Sequence, residues 1–175
     1  MRPGAARTRV AGPGDAADVA RLLRAFNAEY DDPAPAQDWL ADRVRALLGD
    51  DTAVVLLEVD GAGAGDAHEP GPPGPPGPHG LALLRLRPSL WEDADEAYLA
   101  ELYVVPSLRG RGHGRVLLRA AMAHAHERGA TYLDLTTTSA DEAAVALYES
   151  VGFDRHERRG PDVTSYYFEI DLPAP

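Results

Sequence analysis

The sequence predicts an α/β (α+β) fold with a mixed, mostly antiparallel central sheet of six to seven strands, flanked by about four helices. Three observations support this prediction. Apolar residues follow strand-like runs and helix-like stripes in the order strand, helix, helix, three strands, helix, strand, helix, two strands. The chain has 175 residues, enough for one hydrophobic core, and 45% of them are hydrophobic. Residues 1–175 are therefore expected to form a single domain.

The first third of the chain predicts a strand, two helices and another strand. A short strand lies around Val10, a turn follows at 12–14, and Asp15 is the expected N-cap of a helix. The apolar stripe of that helix consists of Val19, Leu22, Leu23 and Phe26. A second helix, roughly Ala36 to Leu48, has the same period at Trp39, Leu40, Val44, Leu47 and Leu48. The β-branched run TAVVLLEVDG then predicts a strand that ends at Asp60 and Gly61.

A Gly/Pro-rich segment, about residues 61–79, follows this strand. It contains collagen-like triplets that begin at Gly71, Gly74 and Gly77. So few triplets in a single chain do not form a stable triple helix. The segment is therefore expected to be a long, flexible, polyproline-like loop between two strands.

The rest of the chain alternates strands and helices. GLALLRLRP is the returning strand, WEDADEA an acidic loop, and YLAELYVVP a strand whose expected core residues are Leu99, Leu102 and Val104. The next helix ends at Gly129 and has one face formed by Val116, Leu117, Ala120, Ala121 and Ala125. ATYLDLTTT predicts a strand and SADEAAVALYESVG a helix that Gly152 ends. FDRHERRG and TSYYFEIDL predict a final pair of strands about a turn at Gly160 and Pro161.

Composition excludes several classes of function. The formal net charge is −11, whereas nucleic-acid-binding proteins draw much of their affinity from a basic surface, so nucleic acid is not an expected partner. The chain has no cysteine, which excludes disulfides and a thiolate nucleophile. No apolar run approaches the roughly 18 residues that span a bilayer, and the amino terminus lacks an apolar signal segment. A cytoplasmic protein without membrane association is expected, and the six histidines show no spacing that predicts a metal site.

The stretch RGRGHGRVLL, residues 109–118, lies at a predicted turn from strand to helix. Such a turn suits an anion, because unpaired amides of the first helical turn point outward and the helix dipole adds roughly half a positive charge. Gly110, Gly112 and Gly114 are expected to adopt positive φ and to let the backbone approach a ligand. A Walker A loop is excluded because all 17 basic residues are arginine. The dinucleotide fingerprint fails because Arg115 follows Gly112 at the third position.

The pattern that does fit is Arg or Gln, two residues, Gly, one residue, then Gly or Ala, met by Arg109, Gly112 and Gly114. In its context, ELYVVPSLRGRGHGRVLL followed by AVALYESVGF, the chain resembles the GCN5-related N-acetyltransferase (GNAT) superfamily. The resemblance extends from about Arg9 to Leu172 and is strongest from Tyr98 to Phe153. It implies a GNAT-like acyl-CoA N-acyltransferase fold. It also implies an N-acetyltransferase that uses acetyl-CoA as co-substrate and a small-molecule or peptide amine as acceptor.

The resemblance also implies which residues bind the coenzyme. The amides from Arg109 to Val116 would clasp the pyrophosphate, and the preceding strand would offer backbone groups to the pantetheine arm. The implied coenzyme-binding residues are Tyr103, Val104, Val105, Arg109, Gly110, Arg111, Gly112, His113, Gly114, Arg115, Val116, Asp141, Ala144 and Tyr148. In this family the tyrosine of the LY pair points its hydroxyl at the thioester sulfur. Tyr148 is therefore the candidate acid for the leaving thiolate, and a half-buried anchor of its helix is the alternative.

Two carboxylates and one threonine complete the candidate site. Asp141 stands where the family often has Asn, and it is either a coenzyme contact or the N-cap of a short helix. Alternation places Glu101 on the opposite side of its strand from Leu102, so it is either the base that takes the amine proton or a solvated residue. Thr136 stands where the peptide amino-terminal branch can have Glu, which argues against a ribosomal-protein acetylase.

Acidic segments indicate the kind of acceptor. One segment ends the first helix with Glu29, Asp31 and Asp32, and the acidic loop provides Glu92, Asp93, Asp95 and Glu96. Acidic walls attract cations, so a cationic amine is the expected acceptor. A non-catalytic acyl-CoA-binding sensor and an RNA-binding module that uses RGRGHGR are the alternatives, the second disfavoured by the net charge. Homodimers are common among relatives, so a homodimer is an expectation of the resemblance alone.

Overall fold

Five strands form one sheet in the order β1-β2-β3-β4-β5 in the computed structural model, which describes residues 5–49, 51–60, 77–155 and 170. The strands are β1 (Ala6–Val10), β2 (Thr52–Val59), β3 (Gly80–Pro88), β4 (Asp95–Val104) and β5 (Ala130–Leu135). Neighbours from β1 to β4 are antiparallel, and β4 pairs with β5 in parallel. The predicted class, a mixed and mostly antiparallel sheet, is confirmed.

The strand count differs from the prediction, because the described residues hold five strands rather than six to seven. The start of the final predicted pair, residues 153–155, belongs to the turn that ends the last helix and not to a strand. There the Phe153 amide donates to the carbonyl of Tyr148 at 3.1 Å, and Gly152 has φ +103°. The rest of that pair, its turn at Gly160 and Pro161, and the segment 61–76 lie outside the described residues.

Four helices accompany the sheet: α1 (Ala16–Glu29), α2 (Gln37–Leu47), α3 (His113–Glu127) and α4 (Glu142–Ser150). The described chain divides into two compact units, one that ends at Thr136 and one that begins at Thr137. The first unit contains the sheet and the first three helices, and the second contains α4.

The helices α1 and α2 pack together on one face of the sheet. Their shared core combines helix residues with alternate residues of β2, β3 and β4: Ala16, Val19, Leu22, Val44, Val54, Leu56, Leu81, Leu83 and Tyr103. The intervening strand residues, such as the buried Leu57 and Leu84, point to the other face. The helix α3 crosses all five strands and buries Leu117, Leu118, Ala121 and Ala125.

Several predicted side chains occupy other environments than expected. Trp39 lies outside the apolar stripe of α2 and is 58% exposed, while Ala41 is buried in its helix instead. Val116 is 41% exposed, and the next-but-one residue Leu118 is fully buried. A helical period predicts which residues are buried only to within one or two positions, because the width of the buried face depends on what packs against the helix.

Asp15 precedes α1 as predicted, but its side chain does not cap that helix. Its carboxylate accepts the Gly12 amide at 2.8 Å and binds the guanidinium of Arg9 at 2.7 and 2.8 Å. Asp15 therefore fixes the link between β1 and α1, and the Arg9 hydrogen bonds lower its pKa.

A β-bulge on β4 decides which residues face α1 and α2. Leu83 pairs with Glu101 and Leu84 with Leu99, which leaves Ala100 as the extra residue of β4. Directly paired residues share a face, so Glu101 lies on the side of Leu83, which α1 and α2 cover. Leu99 lies on the other side and is buried, as predicted.

Of the other two core residues predicted on β4, Val104 is buried and Leu102 is only partly buried.

Candidate active site

The glycine turn, residues 109–112, connects β4 to α3 after a single 3-10 turn at Pro106–Leu108. Gly110 and Gly112 have φ of +71° and +84°, as expected, whereas Gly114 lies in the first turn of α3 without positive φ, so that expectation is wrong. A Cβ atom on Gly110 or Gly112 would meet nothing within 4 Å. These glycines are therefore required by the left-handed backbone, and the space beside them is open for a ligand.

Five consecutive amides, those of residues 110–114, lie in and just after this turn. Within the described residues, none of them donates a hydrogen bond of normal length and angle. The predicted clasp is narrower than 109–116, because the Arg109 amide donates to Pro106 at 3.1 Å and the Val116 amide to Gly112 at 3.2 Å. His113 contributes its amide only, since its side chain is 5% exposed. Unengaged amides at the amino end of a helix suit an anionic ligand, because they offer N–H donors beside the positive end of the helix dipole.

Among the described residues, the edge of β4 that faces away from β3 is open next to this turn. Pairing of β4 with β5 ends at Leu99 and Leu135, and from there to Val104 no described strand lies on the β5 side of β4. The Val105 amide donates to His79 in the direction of β3, at 2.9 Å. Backbone groups alternate along a strand, so those of Val104 point to the open edge.

This alternation along β4 changes the set of residues whose backbone groups are available to a ligand. Of the three residues implied by the family resemblance, Tyr103 and Val105 direct their backbone groups to β3, and only Val104 lies at the open edge. Leu102 lies there too and was missed. The alternation of a strand, counted back two residues from Val104, would have indicated Leu102.

Arg109, the first residue of the glycine turn, is held by α1. Its Nη2 donates to both carboxylate oxygens of Glu29, at 3.0 and 2.8 Å, and its Nε donates to the carbonyl of Val104 at 2.7 Å. The Tyr103 hydroxyl donates to the same Glu29 carboxylate at 2.8 Å. Glu29 was expected to line an acidic acceptor wall, but its charge is already compensated by Arg109.

Burial and the hydrogen bond to Glu29 raise the pKa of Tyr103 to about 12. The nearby charge of Arg109 opposes this effect without cancelling it. The Tyr103 hydroxyl therefore stays protonated at neutral pH and remains a donor to Glu29.

Glu101 lies on the same face of β4 as Tyr103 and is partly buried. Burial raises the pKa of Glu101, and the positive charge of Arg85 opposes that rise. Arg85 is held in place by Thr52, whose hydroxyl accepts from it at 2.6 Å. The surroundings of Glu101 thus differ from those of a fully solvated carboxylate, and they move its pKa toward the range of a general base.

The second unit carries the other candidates on α4. The Asp141 carboxylate accepts the amide of Ala144 at 2.9 Å, so Asp141 is the N-cap of α4 and this amide is occupied. The ring of Tyr148 meets the ring of Phe153 edge to face, with centroids 5.8 Å apart. Tyr148 is partly buried, which fits both interpretations of this residue.

The acidic loop lies at the other end of β4 from the glycine turn. Glu92, Asp93 and Asp95 line a shallow cavity of about 330 Å³ together with Pro88, Ser89, Ala94 and Gly129. Asp95 begins β4 and Val104 ends it, so roughly 30 Å of strand separates this cavity from the turn. The acidic loop and the glycine turn do not form one compact site.

Among the described residues, no group of three His, Asp or Glu side chains is placed to hold a metal ion. None of the helices in those ranges is long and apolar enough to cross a membrane.

Comparison with known proteins identifies the family. Residues 19–153 match the acetyltransferase (GNAT) family, a range that contains the glycine turn, Glu101 and Tyr148. A mycothiol acetyltransferase from Gordonia bronchialis is 30% identical over 147 residues, 80% of this chain. The chain spans 41% of the length of that relative. The Escherichia coli N-acetyltransferase YjgM, itself uncharacterised, is 29% identical over 78% of this chain and 74% of its own.

A solved structure agrees with this result. A crystal structure from Arthrobacter sp. FB24, assigned as an acetyltransferase, superposes with a TM-score of 0.76 at 36% identity. The superposition covers 94% of this chain and 95% of the other. The sequence resemblance is confirmed by both kinds of comparison, and the chain belongs to the GNAT family of acetyltransferases.

Proposed function

We propose that this acetyltransferase uses acetyl-CoA as its donor and passes the acetyl group directly to an amine in a ternary complex. The observation that carries the proposal is the run of five unengaged amides at 110–114, beside the amino end of α3. A pyrophosphate is the part of coenzyme A that such amides suit, because they offer several N–H donors and a positive helix end. The exposed side chains of Arg111 and Arg115 add positive charge to an otherwise acidic protein.

The open edge of β4 provides the next part of the donor site. The backbone of Leu102 and the amide of Val104, whose carbonyl already accepts from Arg109, would pair with the pantetheine arm as an additional strand would. Such pairing would direct the arm along β4 toward the bulge at Ala100, next to the last pair of β4 and β5. Glu101 follows that bulge directly.

The proposed chemistry requires one base and one acid. The neutral amine nitrogen attacks the thioester carbonyl and forms the C–N bond, while Glu101 takes the proton that the nitrogen loses. The C–S bond then breaks, and the departing thiolate receives a proton from the hydroxyl of Tyr148. The products are the acetylated amine and free coenzyme A.

The acceptor is proposed to be a cationic amine. Asp31 and Asp32 follow α1 and are exposed, and neither forms an ion pair within the described residues. The net charge of −11 also favours the approach of cations. The match to a mycothiol acetyltransferase agrees with a small-molecule acceptor but covers less than half of that relative.

Calorimetry with acetyl-CoA, followed by thiol release with a panel of amines, tests this function. We expect heat of binding, thiol release that depends on the amine, and faster turnover of cationic amines at low salt than at high salt. Binding without thiol release from any amine would identify an acyl-CoA-binding module instead of an enzyme. No heat of binding and no thermal protection by acetyl-CoA would overturn the proposal.

A further inference from the structure

We propose that Glu29 is a positioning residue for the coenzyme, which acts through Arg109 and holds the glycine turn in its binding conformation before the ligand arrives. Glu29 is the last residue of α1, and Arg109 is the first residue of the turn. The two are 80 residues apart in the sequence. This inference rests on the proposed function, because it concerns affinity for acetyl-CoA.

The guanidinium of Arg109 is fixed at both ends. Its Nη2 lies 2.8 and 3.0 Å from the two oxygens of Glu29, and its Nε lies 2.7 Å from the carbonyl of Val104. The side chain therefore ties the turn to α1 and to the end of β4 at the same time. Because Gly110 directly follows Arg109, a shift of Arg109 would move the first of the five unengaged amides.

Tyr103 contacts both members of the Glu29–Arg109 pair. Its hydroxyl donates to the Oε1 atom of Glu29 at 2.8 Å, and its ring centroid lies 5.4 Å from the guanidinium carbon of Arg109. Tyr103 is 4% exposed and packs against Phe26 of α1, with ring centroids 5.6 Å apart. Glu29 and the guanidinium of Arg109 are therefore both held against the buried Tyr103.

The pair is better shielded than the exposed long-range ion pair of Arg7 and Asp60. The Glu29 side chain is 25% exposed and that of Arg109 46%, compared with 51% and 70% for Asp60 and Arg7. A partly buried ion pair is screened less by water and salt than a fully exposed pair, so its electrostatic attraction is stronger. The charge-assisted contact of Arg109 with both carboxylate oxygens of Glu29 also fixes the orientation of the guanidinium.

The geometry indicates positioning rather than direct contact with the pyrophosphate. The charge of Arg109 is compensated by Glu29, and its Nε is used by Val104. Apart from the Nη1 group of Arg109, what remains for the ligand is the backbone that follows this residue. A turn that is already ordered loses less conformational entropy on binding, so Glu29 is expected to contribute to affinity and not to the chemical step.

Calorimetry and steady-state kinetics on the full chain test this inference. We expect Glu29→Ala to weaken acetyl-CoA binding by about 5- to 20-fold, while kcat at saturating acetyl-CoA changes less than twofold. Glu29→Gln should lie between Glu29→Ala and the parent, because it keeps an acceptor for Tyr103 but loses the charge. Asp42→Ala is the matched control, since it removes a carboxylate from an exposed ion pair with Arg45 and should leave the affinity unchanged.

A double-mutant cycle separates the proposed connection from a general loss of stability. In the Arg109→Gln background, Glu29→Ala should weaken binding by less than twofold, because its partner is already gone. Hydrogen exchange without ligand should show faster exchange of amides 110–114 in Glu29→Ala than in Asp42→Ala. If Glu29→Ala does not fold, the same cycle is made with Glu29→Gln.

The outcomes distinguish this inference from the proposed function. Unchanged acetyl-CoA affinity in the Glu29 variants, or fold-losses that multiply with that of Arg109→Gln, would overturn the positioning role and leave the acetyltransferase proposal intact. A drop in kcat with unchanged affinity would also overturn it. Failure of the parent protein to bind acetyl-CoA would overturn both proposals.

Discussion

Arg85 and Glu101 act on each other across the face of the sheet that α1 and α2 share, and the charge of Arg85 opposes the burial that raises the pKa of Glu101. The bulge at Ala100 produces this arrangement, because it brings Glu101 opposite Leu83 of β3. Without the extra residue, strict alternation after Leu99 would send residue 101 to the face of α3.

The pH dependence of catalysis is expected to depend on Arg85. If Glu101 is the base, kcat/KM falls as the pH drops through the pKa of Glu101, because the protonated carboxyl cannot take the amine proton. Removing the positive charge by Arg85→Met takes away the influence that lowers this pKa. The acid limb of the pH profile should therefore move to higher pH.

Arg87→Met is the matched control for this shift. Arg87 lies two residues further along β3 and pairs with Glu96 at 3.1 Å, so the change in net charge is the same. It should leave the acid limb in place. An acid limb that stays unchanged in Arg85→Met, or that survives in Glu101→Gln, would show that another group is the base.

Tyr148→Phe is expected to lower kcat by roughly 10- to 1000-fold and to leave acetyl-CoA affinity nearly unchanged, since the hydroxyl acts as charge develops on sulfur. The ring stays, so its edge contact with Phe153 should be retained. Pre-steady-state thiol release and calorimetry measure the two quantities. Tyr132→Phe, on an exposed tyrosine of β5, is the control. Equal losses of affinity and turnover would contradict the assignment of Tyr148 as the acid.

Gly112→Ala is expected to weaken acetyl-CoA binding beyond its effect on stability. Gly112 has φ +84°, where an alanine costs on the order of 1 kcal/mol of folding free energy. Gly129 ends the same helix with φ +95° and equally open space at its Cβ. Gly129→Ala should therefore lower the midpoint of thermal unfolding by a similar amount but leave affinity unchanged. Equal affinities of the two variants would exclude the glycine turn as the binding site.

Much of the fold could be predicted because the signals are local. The helical period predicts all four helices: the bounds of α2 agree to within one residue, and the segment predicted for α4 begins three residues before Glu142. Apolar runs, β-branched in β2 and leucine-rich in β3, predict these two strands. The glycine turn could be predicted in the same way, since its glycines and the helix that follows are contiguous. The left-handed backbone at Gly110 and Gly112 needed no information from the rest of the chain.

The contacts that position the site could not be predicted, because they join distant segments. Nothing in the vicinity of Glu29 indicates that its partner is Arg109, and the pairing depends on where α1 ends above β4. The bulge at Ala100 likewise follows from the register against β3 and not from the composition of β4. The same limit explains Trp39, which was expected in the core but which no element among the described residues covers.

Asp141 is expected to contribute to stability through its capping hydrogen bond and not through its charge. Asp141→Ala removes the acceptor of the Ala144 amide and should lower the free energy of unfolding by about 1 kcal/mol. Asp141→Asn keeps a side-chain oxygen for that amide, so its stability should stay within a few tenths of a kcal/mol of the parent. Chemical denaturation of both variants measures the difference. If the Asn variant also binds acetyl-CoA several-fold more tightly, the carboxylate lies close enough to the ligand to repel its phosphates, and the coenzyme contact implied by the family resemblance holds in addition to the cap.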